Sequence, residues 1–144
     1  QTIIIENSYL VPHQVIKAPV VGGNLSILYS MLGSDTFPEM ENQILFIEDI
    51  DEYLYHIERM MYSLKRAGKL TNLKALLVGG MTDMNDHDIP FGKNAEEIIR
   101  SMTQEYDYPV IFNFPAGHIT DHRTLQLGGE MTIEILLKTI KFTP

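Results

Sequence analysis

Short apolar runs separated by amphipathic segments constrain the fold of this chain more than any other feature. The runs have the length of β-strands and contain β-branched residues; they cover residues 3–5, 44–47, 73–78 and 110–114. Because they are continuously apolar instead of alternating with polar residues, they are typical of strands buried on both faces. The sequence therefore predicts buried strands at the centre of the fold.

Two amphipathic segments lie between the last three of these runs. Segment 51–67 carries four apolar residues at i, i+3, i+7 and i+10, which is one face of a helix; they are Leu54, Ile57, Met61 and Leu64. A second helix is predicted from Asn94, because Asn94 with Glu97 resembles a capping box. The order strand, helix, strand, helix, strand predicts right-handed crossovers and a parallel sheet over about residues 44–114.

The N-terminal and C-terminal segments of the chain have a different sequence pattern from its middle. Segments 14–21 and 131–142 have the pattern of strands without intervening helices, which predicts a second, antiparallel element. A short helix is predicted over 24–32, with Asn24 as its N-cap and Gly33 as its stop. The sequence contains no internal repeat and no linker, so we expect residues 1–144 to form one domain.

Composition excludes several classes of function. The formal net charge is −8 and the 11 basic residues are scattered, which argues against a nucleic acid partner. No apolar run reaches the roughly 18 residues needed to span a membrane. The chain has no cysteine, which excludes a thiol nucleophile and a disulfide framework and fits a reducing compartment. It begins with Gln1 instead of methionine, which leaves open whether a further segment or a signal peptide precedes it.

Polar residues follow three of the predicted parallel strands. Glu48 and Asp49 end the second run, Asp83 follows the third, and His118 follows the fourth. Parallel strands bring these positions to one edge of the sheet, where ligands bind in open α/β folds. Glu48 with His118 then resembles the orienting carboxylate and the base of a hydrolase triad. The alternative is that Glu48 or Asp49 caps the next helix and that His118 is a loop residue.

Two further polar clusters suggest metal ions only weakly. The stretch from Asp83 to Asp88 is acidic, but it lacks the glycine and the glutamate that a calcium loop places at its sixth and twelfth positions. His118, Asp121 and His122 lie close in sequence, yet no helix is evident to hold them as ligands. We interpret both clusters as solvated loops.

Four segments spread over nearly the whole chain resemble a known family. They are GGNLSILYSMLG at 22–33, ILFIEDIDEYLYHIERMMYSLKRAG at 44–68, LKALLVGGMTD at 73–83, and PAGH followed by TLQLG at 115–128. In this order they are similar to the C-terminal half of the LD-carboxypeptidases, the S66 serine peptidases. The block 44–68 is the most specific, with its Glu-Asp pair after a strand and the spacing of Tyr55 and Arg59.

The resemblance implies a fold and a set of catalytic residues. It implies an α/β fold with a parallel central sheet, flanking helices and a second, smaller antiparallel sheet, as in a swivelling β/β/α-like domain. In this family the triad is Ser, Glu and His, and its Glu and His fall on Glu48 and His118 of this chain. The resemblance implies neither a cofactor nor a metal.

The serine of that triad is not evident in the chain. None of its six serines follows a buried strand on a sharp, glycine-flanked turn; they are Ser8, Ser26, Ser30, Ser34, Ser63 and Ser101. Ser26, after Gly22 and Gly23, comes nearest, but it is interpreted as the first turn of a capped helix. We therefore expect residues 1–144 to be a C-terminal domain that lacks its nucleophile-bearing N-terminal domain and is inactive alone.

The resemblance leaves more than one function open. It implies a cytoplasmic, homodimeric enzyme that releases terminal D-alanine from the tetrapeptides of peptidoglycan. Some relatives instead resemble immunity hydrolases that act on peptidyl-nucleotide antibiotics, which calls for an aromatic stacking residue near 81–92, where only Phe91 qualifies. A third alternative is a binding or assembly module without catalysis.

Overall fold

The computed structural model describes residues 1–7 and 10–144 and contains seven strands and three helices in its described part. In chain order they are β1 Ile3–Glu6, β2 Gln14–Asn24, α1 Leu25–Ser30, β3 Ile44–Ile50, α2 Leu54–Arg66, β4 Ala75–Thr82, α3 Ala95–Thr103, β5 Val110–Ile111, β6 Glu130–Ile135 and β7 Thr139–Thr143. No helix among these described residues is both long enough and apolar enough to cross a membrane.

All seven strands belong to one sheet with the order β1-β7-β6-β2-β3-β4-β5. Strands β2 to β5 run parallel to one another, whereas β1, β7 and β6 form an antiparallel part. The long strand β2 joins the two parts, since residues 14–19 pair with β6 and residues 20–24 pair with β3. The predicted α/β fold is confirmed, and β2 makes its two sheets continuous.

Helices α1 and α3 begin where the sequence provides caps. Asn94 and Glu97 form the predicted capping box: each side chain accepts a hydrogen bond from the other residue's backbone N–H. The Asn24 side chain accepts from the backbone N–H of Ile27 and caps α1. Helix α2 starts at Leu54, later than predicted, because Asp51 has a left-handed φ of 59° that ends β3.

The core has two layers, one on each face of the sheet. Ile57, Met61 and Leu64 of α2 pack with Leu45 and Ile47 of β3 in the helix-side layer. Phe46 lies between Leu45 and Ile47 in β3 and packs in the layer on the opposite face. That layer also contains residues of the antiparallel part, such as Phe142. Because side chains alternate along a strand, the two layers alternate along β3. Because the parallel and antiparallel parts of the sheet both contribute side chains to this second layer, the sheet curls around the face that carries Phe46.

Two predicted strands are divided or shortened in the structure. The predicted strand 131–142 is a hairpin of β6 and β7, closed where Leu136 N–H donates to the carbonyl oxygen of Thr139 at 2.8 Å. The predicted strand 110–114 pairs with β4 only through Val110 and Ile111. Asn113 has a φ of 59°, a left-handed conformation that takes the backbone out of the ladder.

Candidate active site at the carboxyl edge of the parallel strands

Glu48 and Asp49 are neighbours in β3, but they face opposite sides of the sheet. Both are nearly inaccessible, with 6% and 2% of their surface exposed. The Glu48 side chain lies on the same face of the sheet as Phe46, and the Asp49 side chain lies on the face of Ile47 and the helices. Because side chains alternate along a strand, two carboxylates that are adjacent in sequence lie on opposite faces, and only Glu48 faces the loop that carries His118.

Glu48 and His118 form a hydrogen-bonded pair. Their closest atoms, Glu48 Oε2 and His118 Nδ1, are 2.7 Å apart, and the backbone N–H of His118 donates to the same oxygen at 3.2 Å. With Glu48 ionised, its carboxylate can only accept, so the hydrogen of this contact lies on His118 Nδ1, and a neutral ring then keeps its lone pair on Nε2. The Glu48 side chain is 8% exposed and the His118 side chain is 52% exposed. The pair therefore combines a buried, fixed carboxylate with an accessible proton acceptor.

Gly117 makes this contact possible. Its φ is +98°, and an added Cβ would lie 2.7 Å from Glu48 Oε2 and 2.8 Å from both Glu48 Cβ and Cγ. A side chain here would have to displace the carboxylate, and the backbone conformation is strained for any residue with a Cβ. The glycine before His118 is thus part of the geometry of the pair.

The loop that carries His118 is tied to the end of β4. The backbone N–H of Gly80 donates to the carbonyl oxygen of Ala116 at 3.0 Å, and the Thr82 hydroxyl donates to that of His118 at 2.7 Å. His122 Nδ1 lies 2.9 Å from the carbonyl oxygen of Gly117. The ladder between β3 and β4 shifts register between Ile47 and Asp49, opposite the two glycines at 79 and 80. This bulge brings the backbone of β4 close to the loop.

We predict that Thr82→Val loosens the loop around His118. Valine has the shape of threonine without the hydroxyl, so the carbonyl oxygen of His118 loses one donor, worth about 1 kcal/mol. The backbone amide of His118 should then exchange with solvent roughly fivefold faster. Hydrogen exchange followed by NMR measures this rate. Thr82→Ser keeps the hydroxyl and serves as the control; equal protection in both variants would contradict the assignment.

Asp49 has a structural role on the other face. Its carboxylate accepts hydrogen bonds, each of 2.9 Å, from Asn24 Nδ2 and from the backbone N–H groups of Ser26 and Ile50. Ser26 lies in the first turn of α1, so Asp49 supports the cap of that helix. The alternative raised for the Glu-Asp pair, a cap on the next helix, is wrong: the N-cap of α2 is Tyr53, with no side-chain cap bond, and Asp49 supports the preceding helix α1 instead.

The other predicted polar residues do not join the pair in a metal site. Asp121 is bonded to Arg123, whose guanidinium holds the pKa of this carboxyl below its usual range. Asp86 accepts hydrogen bonds from the backbone N–H groups of His87 and Phe91. Within residues 1–7 and 10–144, no group of three or more His, Cys, Asp or Glu side chains is placed to hold a metal ion.

Two clefts flank the His118 loop. An open groove of about 930 Å³ passes His118 and is also lined by Ile50, Asp83 and His122. A second cleft of about 720 Å³ lies on the far side, between β4, the loop and the start of α3. Thr82 and Ile119 line both and form the ridge between them. Substrate-sized space is therefore present at this edge.

No serine in the described part of the chain is hydrogen-bonded to Glu48 or His118. Ser30, Ser63 and Ser101 each donate a hydrogen bond to a carbonyl oxygen of the same helix, and Ser26 donates to the Asn24 side chain. Ser34 lies 2.9 Å from the Thr36 hydroxyl in the segment after α1. Ser8 lies outside the described residues.

Comparison with known proteins identifies the family. Residues 17–133 match the model of the LD-carboxypeptidase C-terminal domain. The chain belongs to the LD-carboxypeptidase family. The resemblance seen in the sequence is thereby confirmed.

Named relatives within and around this family fall into two groups. The chain is 32% identical over 130 residues to the probable murein peptide carboxypeptidase of Bacillus subtilis, covering 90% of this chain and 40% of that protein. It is 29% identical over 133 residues to the microcin C7 self-immunity protein MccF of Escherichia coli, covering 89% of this chain and 37% of that protein.

A solved LD-carboxypeptidase relative has the same fold. The crystal structure of muramoyltetrapeptide carboxypeptidase from Oxalobacter formigenes superimposes with a TM-score of 0.85 at 28% identity, covering 99% of this chain and 49% of that one. The chain thus spans less than half the length of these relatives.

Sequence reasoning missed Thr82 at this candidate site, although it placed Gly79 and Gly80 after the same apolar run. No sequence pattern identifies Thr82, because its hydroxyl contacts the carbonyl oxygen of His118 only in the folded chain. Gly79 and Gly80 do form a recognisable pattern, since paired glycines at the end of an apolar run are typical of a bulge or a close backbone approach. Asn24 was identified as a helix cap, but its second bond, to Asp49, was not.

Proposed function

We propose that this chain is the C-terminal catalytic half of a serine carboxypeptidase that releases terminal D-alanine from murein tetrapeptides by cutting an L,D-peptide bond. The observation that carries the proposal is the 2.7 Å contact between buried Glu48 and half-exposed His118 at the carboxyl edge of the parallel strands. Membership of the LD-carboxypeptidase family and similarity to a probable murein peptide carboxypeptidase support the substrate class.

In this proposal the nucleophile comes from a serine on an N-terminal domain. His118 Nε2 takes the hydroxyl proton as the serine oxygen attacks the carbonyl carbon of the scissile bond. The same nitrogen then protonates the leaving amine of D-alanine. Water next attacks the acyl ester by the reverse proton path and frees the serine. Glu48 holds the imidazole with Nε2 outward and stabilises its protonated form.

The proposed chemistry uses no metal and no cofactor. It requires instead that the nucleophile-bearing domain sit over the edge where His118 is exposed. We further propose that the protein works in the cytoplasm, in keeping with its lack of cysteine, and that it is a homodimer with neither nucleic acid nor membrane as partner.

A second candidate keeps the fold and the two residues but changes the substrate. MccF is among the similar proteins, and one of its solved structures contains aspartyl sulfamoyl adenosine. The aromatic residue expected to stack on a nucleotide base is Phe91, which is half-buried and packs against the helix-side core layer. This placement favours the murein substrate. A third candidate, a binding module without catalysis, assigns no role to the buried Glu48 carboxylate.

Turnover of two substrates separates these candidates. In the full-length protein we expect release of D-alanine from a murein tetrapeptide to exceed cleavage of an aminoacyl-adenylate analogue by at least about tenfold in kcat/KM, because Phe91, the one Phe, Tyr or Trp at 81–92, is half-buried against the core. The reverse order would support the immunity function.

Residues 1–144 alone provide the control for this assay. Because no serine within residues 1–7 and 10–144 is bonded to the pair, this chain should leave both substrates intact. D-Alanine release by the isolated chain would contradict the requirement for a second domain. A full-length protein that cleaves neither substrate would favour the binding module.

A further inference from the structure

Asp83 lines the open groove that passes His118. Its side chain is exposed, and no other acidic residue in the described part of the chain lines this groove. Neither the groove nor the second cleft is lined by a described Lys or Arg. The wall that this chain contributes to the groove therefore carries a negative charge without a permanent cation beside it. A positively charged group of a ligand complements such a wall.

Asp83 also differs from the neighbouring carboxylates in having no partner. Asp49 accepts the three hydrogen bonds described above, Asp51 accepts one from the Asn85 side chain, and Asp86 accepts from backbone N–H groups. Within residues 1–7 and 10–144, the Asp83 carboxylate takes part in no hydrogen bond and no ion pair. It is therefore available to a ligand in the groove.

The backbone around Asp83 is fixed against the His118 loop. Thr82, the preceding residue, donates its hydroxyl to the carbonyl oxygen of His118 at 2.7 Å, and its own carbonyl oxygen accepts from the backbone N–H of Asp51 at 3.0 Å. Two residues further on, the backbone of Asn85 makes hydrogen bonds of 2.8 and 2.9 Å around the start of α2. Asp83 itself has a left-handed φ of 51°, which aspartate tolerates. A carboxylate on a fixed backbone loses less entropy when it binds, which favours binding.

His122 adds an acceptor to the same groove. Its Nδ1 lies 2.9 Å from the carbonyl oxygen of Gly117, which can only accept, so the hydrogen of this contact lies on Nδ1. A neutral ring then keeps its lone pair on Nε2. Because His122 lines the groove together with Asp83, a neutral imidazole contributes an acceptor beside the carboxylate. An ammonium group, which has three donors and no acceptor, matches both.

We propose that Asp83 binds an ammonium group on the side chain of the substrate residue that precedes the terminal D-alanine. The inference rests on the proposed function and deepens it, since it makes the enzyme selective for tetrapeptides with a basic residue at that position. That side chain starts at the Cα atom next to the scissile carbonyl carbon, where His118 acts, so a long side chain can reach along the groove. The terminal carboxylate of the substrate is repelled by Asp83, and its donors come from the nucleophile-bearing domain.

Peptides that differ only at the residue before D-alanine test this selectivity in the full-length protein. Lysine carries the ammonium, N-acetyllysine keeps the length without the charge, norleucine lacks the amine, and glutamate has the opposite charge. We expect kcat/KM for D-alanine release to be at least about tenfold higher with lysine than with N-acetyllysine or norleucine. Asp83→Asn should bring the ratio of lysine to norleucine to within about twofold of one. Asp83→Lys should favour the glutamate peptide over the lysine peptide.

Asp88→Asn is the matched control. Asp88 is an exposed acidic residue of the same loop, it has no partner in the described part of the chain, and it lines neither cleft. Its ratio of lysine to norleucine should equal that of the parent. Each ratio is measured on one protein preparation, so a change in the folded fraction cancels. Equal kcat/KM values for the two peptides with the parent, or a lysine preference that survives in Asp83→Asn, would overturn the inference.

Binding without turnover separates this inference from the proposed function. Titration calorimetry of the full-length His118→Ala variant should give a Kd about tenfold lower for the lysine peptide than for the norleucine peptide. If this preference is found but the parent releases no D-alanine from any of the four peptides, the proposed function is wrong and the role of Asp83 in binding stands. Equal Kd values for the two peptides would refute that role.

Discussion

Replacing His118 by alanine in the full-length protein is expected to lower kcat/KM for D-alanine release by about 10⁴-fold. The imidazole is the only group in the proposed mechanism that takes the serine proton and returns it to the leaving amine, and triad members lost singly cost about this much. The assay is the initial rate of D-alanine release from a murein tetrapeptide. Glu48→Gln should cost roughly 10³-fold to 10⁴-fold, because the ring loses the carboxylate that orients it.

His13→Ala is the matched control for His118→Ala. His13 is exposed immediately before β2, at the far end of that strand from residues 20–24, which pair with β3. Its removal should leave the rate within about twofold of the parent. Activity of His118→Ala within a few-fold of the parent would remove His118 from the mechanism, and unchanged activity of Glu48→Gln would reduce Glu48 to a structural residue.

Replacing Gly117 by alanine is expected to cost roughly 3 kcal/mol or more of folding free energy and to break the contact between Glu48 and His118. The new Cβ would lie 2.7 Å from Glu48 Oε2 and 2.8 Å from Glu48 Cβ and Cγ, at a φ of +98° that alanine rarely adopts. Either the carboxylate moves or the loop does, and buried steric conflicts of this kind fall at the upper end of single-residue effects. Urea denaturation measures the free energy of unfolding.

Gly128→Ala separates backbone strain from the steric conflict. Gly128 also has a positive φ, of +78°, but an added Cβ meets no atom within 4 Å. This variant should cost only about 1–2 kcal/mol, the strain of a left-handed residue. If Gly117→Ala is no more destabilising than Gly128→Ala, then Glu48 does not occupy the position described here.

The elements that sequence reasoning located correctly are those defined by local chemistry. The Asn94–Glu97 capping box and the buried face of α2 depend on residues within one or two turns of each other. The hairpin between β6 and β7 was missed because its turn, 136–139, lacks the Gly, Asn, Asp or Pro that usually mark one. The early end of β5 depends on a left-handed Asn113, which has no distinct signature in sequence.

The candidate site also combines features that the sequence predicts with contacts that appear only in the folded chain. A carboxylate and an imidazole at the ends of apolar runs were visible in the sequence, and parallel topology predicted that they would share an edge. Which of Glu48 and Asp49 meets His118 was not visible, because it depends on the face that each presents once β3 lies between β2 and β4. The contact from Thr82 to the loop joins residues 36 positions apart and exists only in the folded chain.

The sequence by itself determined the alternation of strands and helices, the caps and the family signature, since hydrophobic periodicity and capping act over a few residues. Tertiary structure alone decided the roles of two adjacent carboxylates: Asp49 supports a helix, and Glu48 holds His118. The physical reason is that opposite faces of one strand meet different neighbours, and those neighbours come from distant parts of the chain.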